Sequence, residues 1–169
     1  MNNSTMIKKR SSKKVTKKPT FSSIEKFFKT FGIDELLSNI SERNGNYFLF
    51  EPKLKLKIDE IKEKIFSAGL FIGNTKKGNF YPSIALIDII SKNDYGISEV
   101  IIDKKTEWLF LCGRDIFGSS INKNIPKGYI IIKNEKKEIL GLGYGTNDLI
   151  LNVIDRGDFL RRENKKRKK

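Results

Sequence analysis

Apolar positions along this chain come in short blocks, most of them bounded by glycine, asparagine or a Ser/Asp cap. Ile24, Phe27, Phe28 and Phe31 recur at helical spacing behind Ser22 and Glu25, which read as a capping box, and Gly32 closes the run. Such a one-sided aromatic stripe is what a buried helix face requires. Asp34 to Ile40 continues as a second short helical piece, Asn44-Gly45-Asn46 is a turn, and Tyr47 to Phe50 reads as a strand. Leu54, Ile58, Ile61 and Ile65 then predict an amphipathic helix whose lysines and acids form a solvated face. Gly69 to Gly73 and Phe80-Tyr81 flank a hairpin-like turn from Asn74 to Asn79. Pro82-Ser83 introduces a largely buried helix, Ile84 to Ile90, with Asp88 near its exposed edge.

Beyond a polar stretch at Lys92 to Gly96 the period changes. Val100, Ile101 and Ile102 form a β-branched run, and Asp103 offers a cap to a helix carrying Trp108, Leu111 and Cys112. Gly113 ends that helix and leaves Arg114 and Asp115 at the lip of a turn, because glycine enters the left-handed region without a Cβ clash. Gly118 closes a small loop. Three apolar runs follow, Gly128 to Lys133, Glu138 to Tyr144 and Leu149 to Ile154, separated by turns at Asn134 to Lys137 and Gly145 to Asp148. Asp155 to Arg162 reads as a turn and a last short strand.

Charge sharpens this picture. The formal net charge is +14, yet residues 1–20 hold seven cations and no acid, and residues 161–169 hold seven cations and one acid. The remaining 140 residues carry only +1, from 20 cations and 19 acids. Two basic arms on a nearly neutral body point to a polyanion gripped through phosphates; a localisation or solubilising role for the arms is the plainer alternative. Met1 to Pro19 has the composition of a disordered tail.

Histidine is absent, which removes the commonest general acid/base and metal ligand. The single cysteine, Cys112, cannot pair within the chain and reads as a small buried hydrophobe in a reducing compartment. No apolar run reaches the roughly 18 residues of a membrane span, so a soluble, non-secreted protein is expected. Gly141, Gly143 and Gly145 imitate a nucleotide loop. The helix that would hold the anion is missing after them, so no cofactor is expected. Asp155 and Asp158 read as turn residues and ion-pair partners, with no third ligand to make a metal site.

The order of strand, short helix, glycine loop and strands ending in Gly-Asp-aromatic-Leu-Arg resembles the PUA domain, named after pseudouridine synthases and archaeosine transglycosylases. More closely, Cys112 to Gly118 (CGRDIFG), Leu140 to Gly145 (LGLGYG) and Asp155 to Arg162 (DRGDFLRR), preceded by Gly69 to Gly73 (GLFIG), are similar to the nuclear import protein seven (Nip-seven) family. The similarity spans roughly Ala68 to Glu163, and Phe21 to Ser67 more loosely. The resemblance implies an α+β protein of two domains, an N-terminal α/β domain (20–95) and a C-terminal PUA-type β pseudo-barrel (97–163). Basic tails, 1–19 and 164–169, flank them. It also implies an RNA-binding factor that binds pre-rRNA during large-subunit processing and assembly; the charge placement and the missing catalytic groups separately point to binding without catalysis, and the poor readout of A-form helices points to single-stranded segments. Pre-ribosomal particle proteins would be its partners, and it would act as a monomer in the cytoplasm, or in the nucleolus of a eukaryote.

The expected RNA-binding residues are Gly113 and Arg114 at the loop, Arg161, Arg162, Lys165 and Lys166 at the carboxyl end, and Lys76 and Lys77 at the hairpin tip. Arg114 has an alternative role as partner of Asp115 or another carboxylate. The other readings are a protein-interaction adaptor of pre-ribosomal particles and a subunit of an RNA-modification enzyme.

Overall fold

The computed structural model describes residues 18–61, 68–93, 96–121, 124–158 and 161. The fold is α+β with two sheets, the second of them curled into a half barrel. Helix α1 (Ile24–Phe31) leads through a 3-10 turn (Asp34–Asn39) into an antiparallel sheet of β1 (Ile40–Arg43), β2 (Asn46–Leu49), β3 (Leu70–Lys76) and β4 (Asn79–Pro82). Helix α2 (Pro52–Glu60) lies between β2 and β3, and α3 (Ile84–Lys92) follows β4. The second half comprises β5 (Ser98–Ile102), α4 (Lys104–Leu111), β6 (Ile116–Phe117), β7 (Gly128–Asn134), β8 (Ile139–Gly145) and β9 (Leu149–Asp155). They assemble in the order β5-β7-β8-β9-β6, with β5 parallel to β7 and the other pairs antiparallel.

The period of two in β7 divides its isoleucines between two cores. Ile130 and Ile132 join Val100, Phe110, Ile116 and Ile150 under α4, while Ile131 points the other way, into the cluster of α1 and α3. An extra residue in β8 at Leu140, where Ile132 pairs with Gly141 but Lys133 with Ile139, breaks the alternation. Leu140 and Leu142 consequently enter different clusters. The larger cluster therefore draws on both sheets, and α1 contributes Phe27, Phe28 and Phe31 to it.

The β8 glycines are close-packing positions. A Cβ on Gly141 would overlap the Ile154 carbonyl oxygen, one on Gly143 the Ile150 side chain, and one on Gly145 the Pro126 carbonyl oxygen. They lie within a strand and lead into another strand.

Several expectations are corrected. The cap of α1 is Ser23, which accepts from the Lys26 amide at 3.3 Å, one residue later than the Ser22–Glu25 box. Ile40 opens strand β1 and does not end a helix, because Asn44 (φ 52°) and Gly45 (φ 74°) form a hairpin turn that pairs Arg43 with Asn46. The helix predicted through Ile65 ends at Glu60, with Leu54 and Leu56 on α2, and Ile61 just beyond it, exposed. The core that its apolar face would join is already occupied by α1 and α3. Ile65 lies outside the described residues.

Cys112 is exposed, since the buried face of α4 is Thr106 and Phe110, spaced by four, and the chain turns outward at Gly113. Ile116-Phe117 forms the short strand β6, where the sequence predicts a loop. The final segment is helical at Asp158 and Arg161, with the Arg161 amide donating to Gly157 O at 3.1 Å, in place of the expected last strand. Residues 1–17 of the expected tail lie outside the described residues.

Candidate nucleic-acid interface

The site is a corner where the end of α4, the end of β9 and the turn after it meet. Asp103 caps α4 by accepting from the Thr106 amide at 2.8 Å. Hydrogen bonding from the Thr106 side chain and then its amide lowers the Asp103 carboxyl pKa below the ordinary aspartate value. Gly113 (φ 81°) ends the helix, its amide donating to Phe110 O at 2.8 Å and that of Arg114 to Leu109 O at 3.2 Å. Buried Asn152 of β9 fastens this turn to the sheet. Its side chain donates to Phe110 O and its backbone amide to Asp115 Oδ1, both at 2.8 Å.

Arg161 closes the corner. Its two terminal nitrogens donate to the two carboxylate oxygens of Asp155 at 2.8 and 2.9 Å, a bidentate pair, and one of them also donates to Leu111 O. Asp158 stands 3.7 Å from the same guanidinium. These hydrogen bonds to Asp155 raise the Arg161 pKa further above its ordinary value. A Cβ on Gly113 would lie 3.2 Å from Arg161 Cζ, and one on Gly157 would overlap Leu111 O. Glycine at both positions lets the arginine fold against the helix end.

Of the expected site residues, the structure brings Gly113 and Arg161 into direct neighbourhood, with Arg114 adjoining. Arg114 is exposed and makes no ion pair with Asp115 or any other described carboxylate. Asp115 is instead 3.9 Å from Lys18. Arg161 is half-buried and neutralised by Asp155, so it anchors the corner and does not stand free as a cation. Arg162, Lys165 and Lys166 lie outside the described residues. Lys76 and Lys77 occupy the β3–β4 hairpin tip as expected, exposed, with Lys77 at φ 49°.

A cleft of about 330 Å³ opens beside the corner, between β4 and β9, lined among others by Lys18, Phe21, Tyr81, Gly113 and Arg161. The sequence marks Lys18 only as part of the basic tail and does not distinguish Asn152. No local pattern marks either, since each acquires its place through contacts with distant residues. Asp88, expected at an exposed helix edge, pairs with Arg156 at 2.5 Å. Among the described residues no three His, Cys, Asp or Glu side chains gather as metal ligands, and no helix is long and apolar enough to cross a membrane.

Residues 98–164 match the family profile described as UPF0113 PUA domain. The chain is also similar to a conserved PUA domain protein from Thermoplasma acidophilum of known structure, at 21% identity over 83% of this chain and 91% of that chain, with a TM-score of 0.41. No curated protein matches the sequence. The profile match covers β5 to β9 and the whole Gly113–Arg161 corner, which supports a PUA-domain protein.

Proposed function

We propose that this protein is a non-catalytic RNA-binding factor that engages pre-rRNA during processing and assembly of the large ribosomal subunit. The observation that carries the RNA part is the PUA match over residues 98–164, since PUA domains generally bind RNA. The ribosomal part rests on the resemblance of CGRDIFG, LGLGYG and DRGDFLRR to the Nip-seven family. A binder without chemistry is favoured because the chain has no histidine, and its buried carboxylate Asp155 is consumed by an arginine.

Two kinds of cation do different work in this reading. Arg161 is a rivet that fixes the chain beside Gly113, and the residues directly following it in sequence include Arg162, Lys165 and Lys166. Arg114, exposed and without a partner among the described carboxylates, meets the RNA backbone at the lip. Unpaired RNA is the target, because A-form helices hide their base edges while splayed strands present phosphates and bases to a shallow face.

RNA affinity measured against salt tests this, with Arg114→Ala alone and with Arg162, Lys165 and Lys166 changed together to alanine. Each lost phosphate contact flattens the slope of log affinity on log salt by about 0.7. An unchanged slope in both variants removes these residues from the interface. Crosslinking to cellular RNA tests the ribosomal part, and a preference for transfer or messenger RNA over ribosomal precursors would overturn it.

A further inference from the structure

The cleft at the Gly113 corner is electrically balanced: Lys18 and Arg161 face Asp155 and Asp158 across it. Its neighbour is not. A second, shallower groove of about 530 Å³ lies between the exposed face of α1 and β7, lined by Lys26, Lys29, Thr30 and Tyr129 together with the segment Thr20 to Ser22. No described acid lines it, and neither lysine forms an ion pair with a described carboxylate. Thr20 and Phe21 line both depressions, which therefore adjoin along that segment.

We infer that this groove is a second RNA-binding subsite, taking the backbone of the same single strand that occupies the Gly113 corner, with Lys26 and Lys29 as its phosphate contacts. The inference rests on the RNA-binding reading above. Burial of Ile24, Phe27, Phe28 and Phe31 turns the opposite face of α1 outward, and a spacing of three then puts Lys26 and Lys29 on one side. Their Cβ atoms are about 5–6 Å apart, which suits neighbouring phosphates of one strand.

The floor is rigid. Phe21 is pinned by the hydrogen bond from the Phe80 amide to its carbonyl at 2.7 Å, and its ring stacks on Tyr129 with centroids 5.2 Å apart. Tyr129 in turn meets Tyr144 edge-on at 5.0 Å. Burial and the nearby Tyr144 push the Tyr129 hydroxyl up to about 12, so it stays a neutral donor at physiological pH and does not repel a phosphate. A cationic wall over an aromatic, uncharged floor is the arrangement that tracks a single strand without reading its sequence.

Binding of labelled single-stranded RNA by the full chain and by the Lys26→Gln/Lys29→Gln double variant tests the path, with strands of about 5 and about 15 nucleotides bracketing the usual range of site sizes. Both changes lie on an exposed helix face, and thermal unfolding confirms that the variant is folded. The expected result is a roughly tenfold loss of affinity for the long strand, a salt slope flatter by about 1.4 for two contacts, and unchanged binding of the short one. Wild-type binding of the long strand with no effect of the variant overturns the subsite and leaves the RNA-binding reading intact. An equal loss for both lengths makes the groove the primary site and overturns the extension. Failure of the wild-type protein to bind either strand overturns both.

Discussion

The Gly113–Arg161 corner and the β3–β4 hairpin tip each present cations next to a glycine turn, yet their states are opposite. At the corner the guanidinium is held by both oxygens of Asp155, by Leu111 O and by the approach of Gly113 and Gly157. At the tip Lys76 and Lys77 stand in water with no described acid in reach. The difference teaches that a cation's availability depends on where the fold puts its counter-charge. A paired arginine fixes geometry, while an unpaired lysine or arginine is what a polyanion meets.

The largest effect that would break this contrast is Gly157→Ala. Its methyl would overlap a backbone carbonyl that cannot withdraw without moving α4, so a loss of about 3 kcal/mol in urea unfolding is expected. Asp155→Ala comes next. The carboxylate is 4% exposed, and its removal leaves Arg161 without its main partner. The cost is about 2–3 kcal/mol, below that of a fully buried pair because water still reaches one side of the guanidinium. An unshifted midpoint for Asp155→Ala would show that the corner is not locked.

A smaller effect depends on pH. The Asp103 carboxyl is lowered in the folded state, so its stabilisation is present above the ordinary aspartate pKa and is lost as pH falls through the lowered folded value. Replacing it by asparagine keeps a capping oxygen and should flatten the acid limb of the stability profile, measured by denaturant midpoints. The smallest effect belongs to the tip: Lys76→Ala with Lys77→Ala should change stability by no more than about 0.5 kcal/mol. A larger loss would mean that the hairpin lysines hold the fold as the corner does.

Much of the chain was legible before folding. The α1 stripe, the Ser83 and Asp103 caps, the Gly113 stop and the strands β7 to β9 all follow from residues within a few positions of one another. The errors cluster where a local pattern needs a partner to be realised. Leu54 and Ile61 have helical spacing, but both stay exposed; Cys112 sits in an apolar run, but on the outward side of the α4 stop. Asp158 and Arg161 are helical where a strand was expected, and the Arg161 guanidinium comes back over Asp155.

The site divides in the same way. The identity of the residues, the basic ends and the glycines that admit close approach were set by the sequence alone, since backbone freedom and formal charge are properties of single residues. Only the tertiary structure decided that Arg161 is spent on Asp155 while Arg114, Lys26 and Lys29 pair with no described carboxylate. Ion pairing depends on separations of a few ångströms between side chains, and Arg156 reaching Asp88 from 68 positions away has no trace in local pattern.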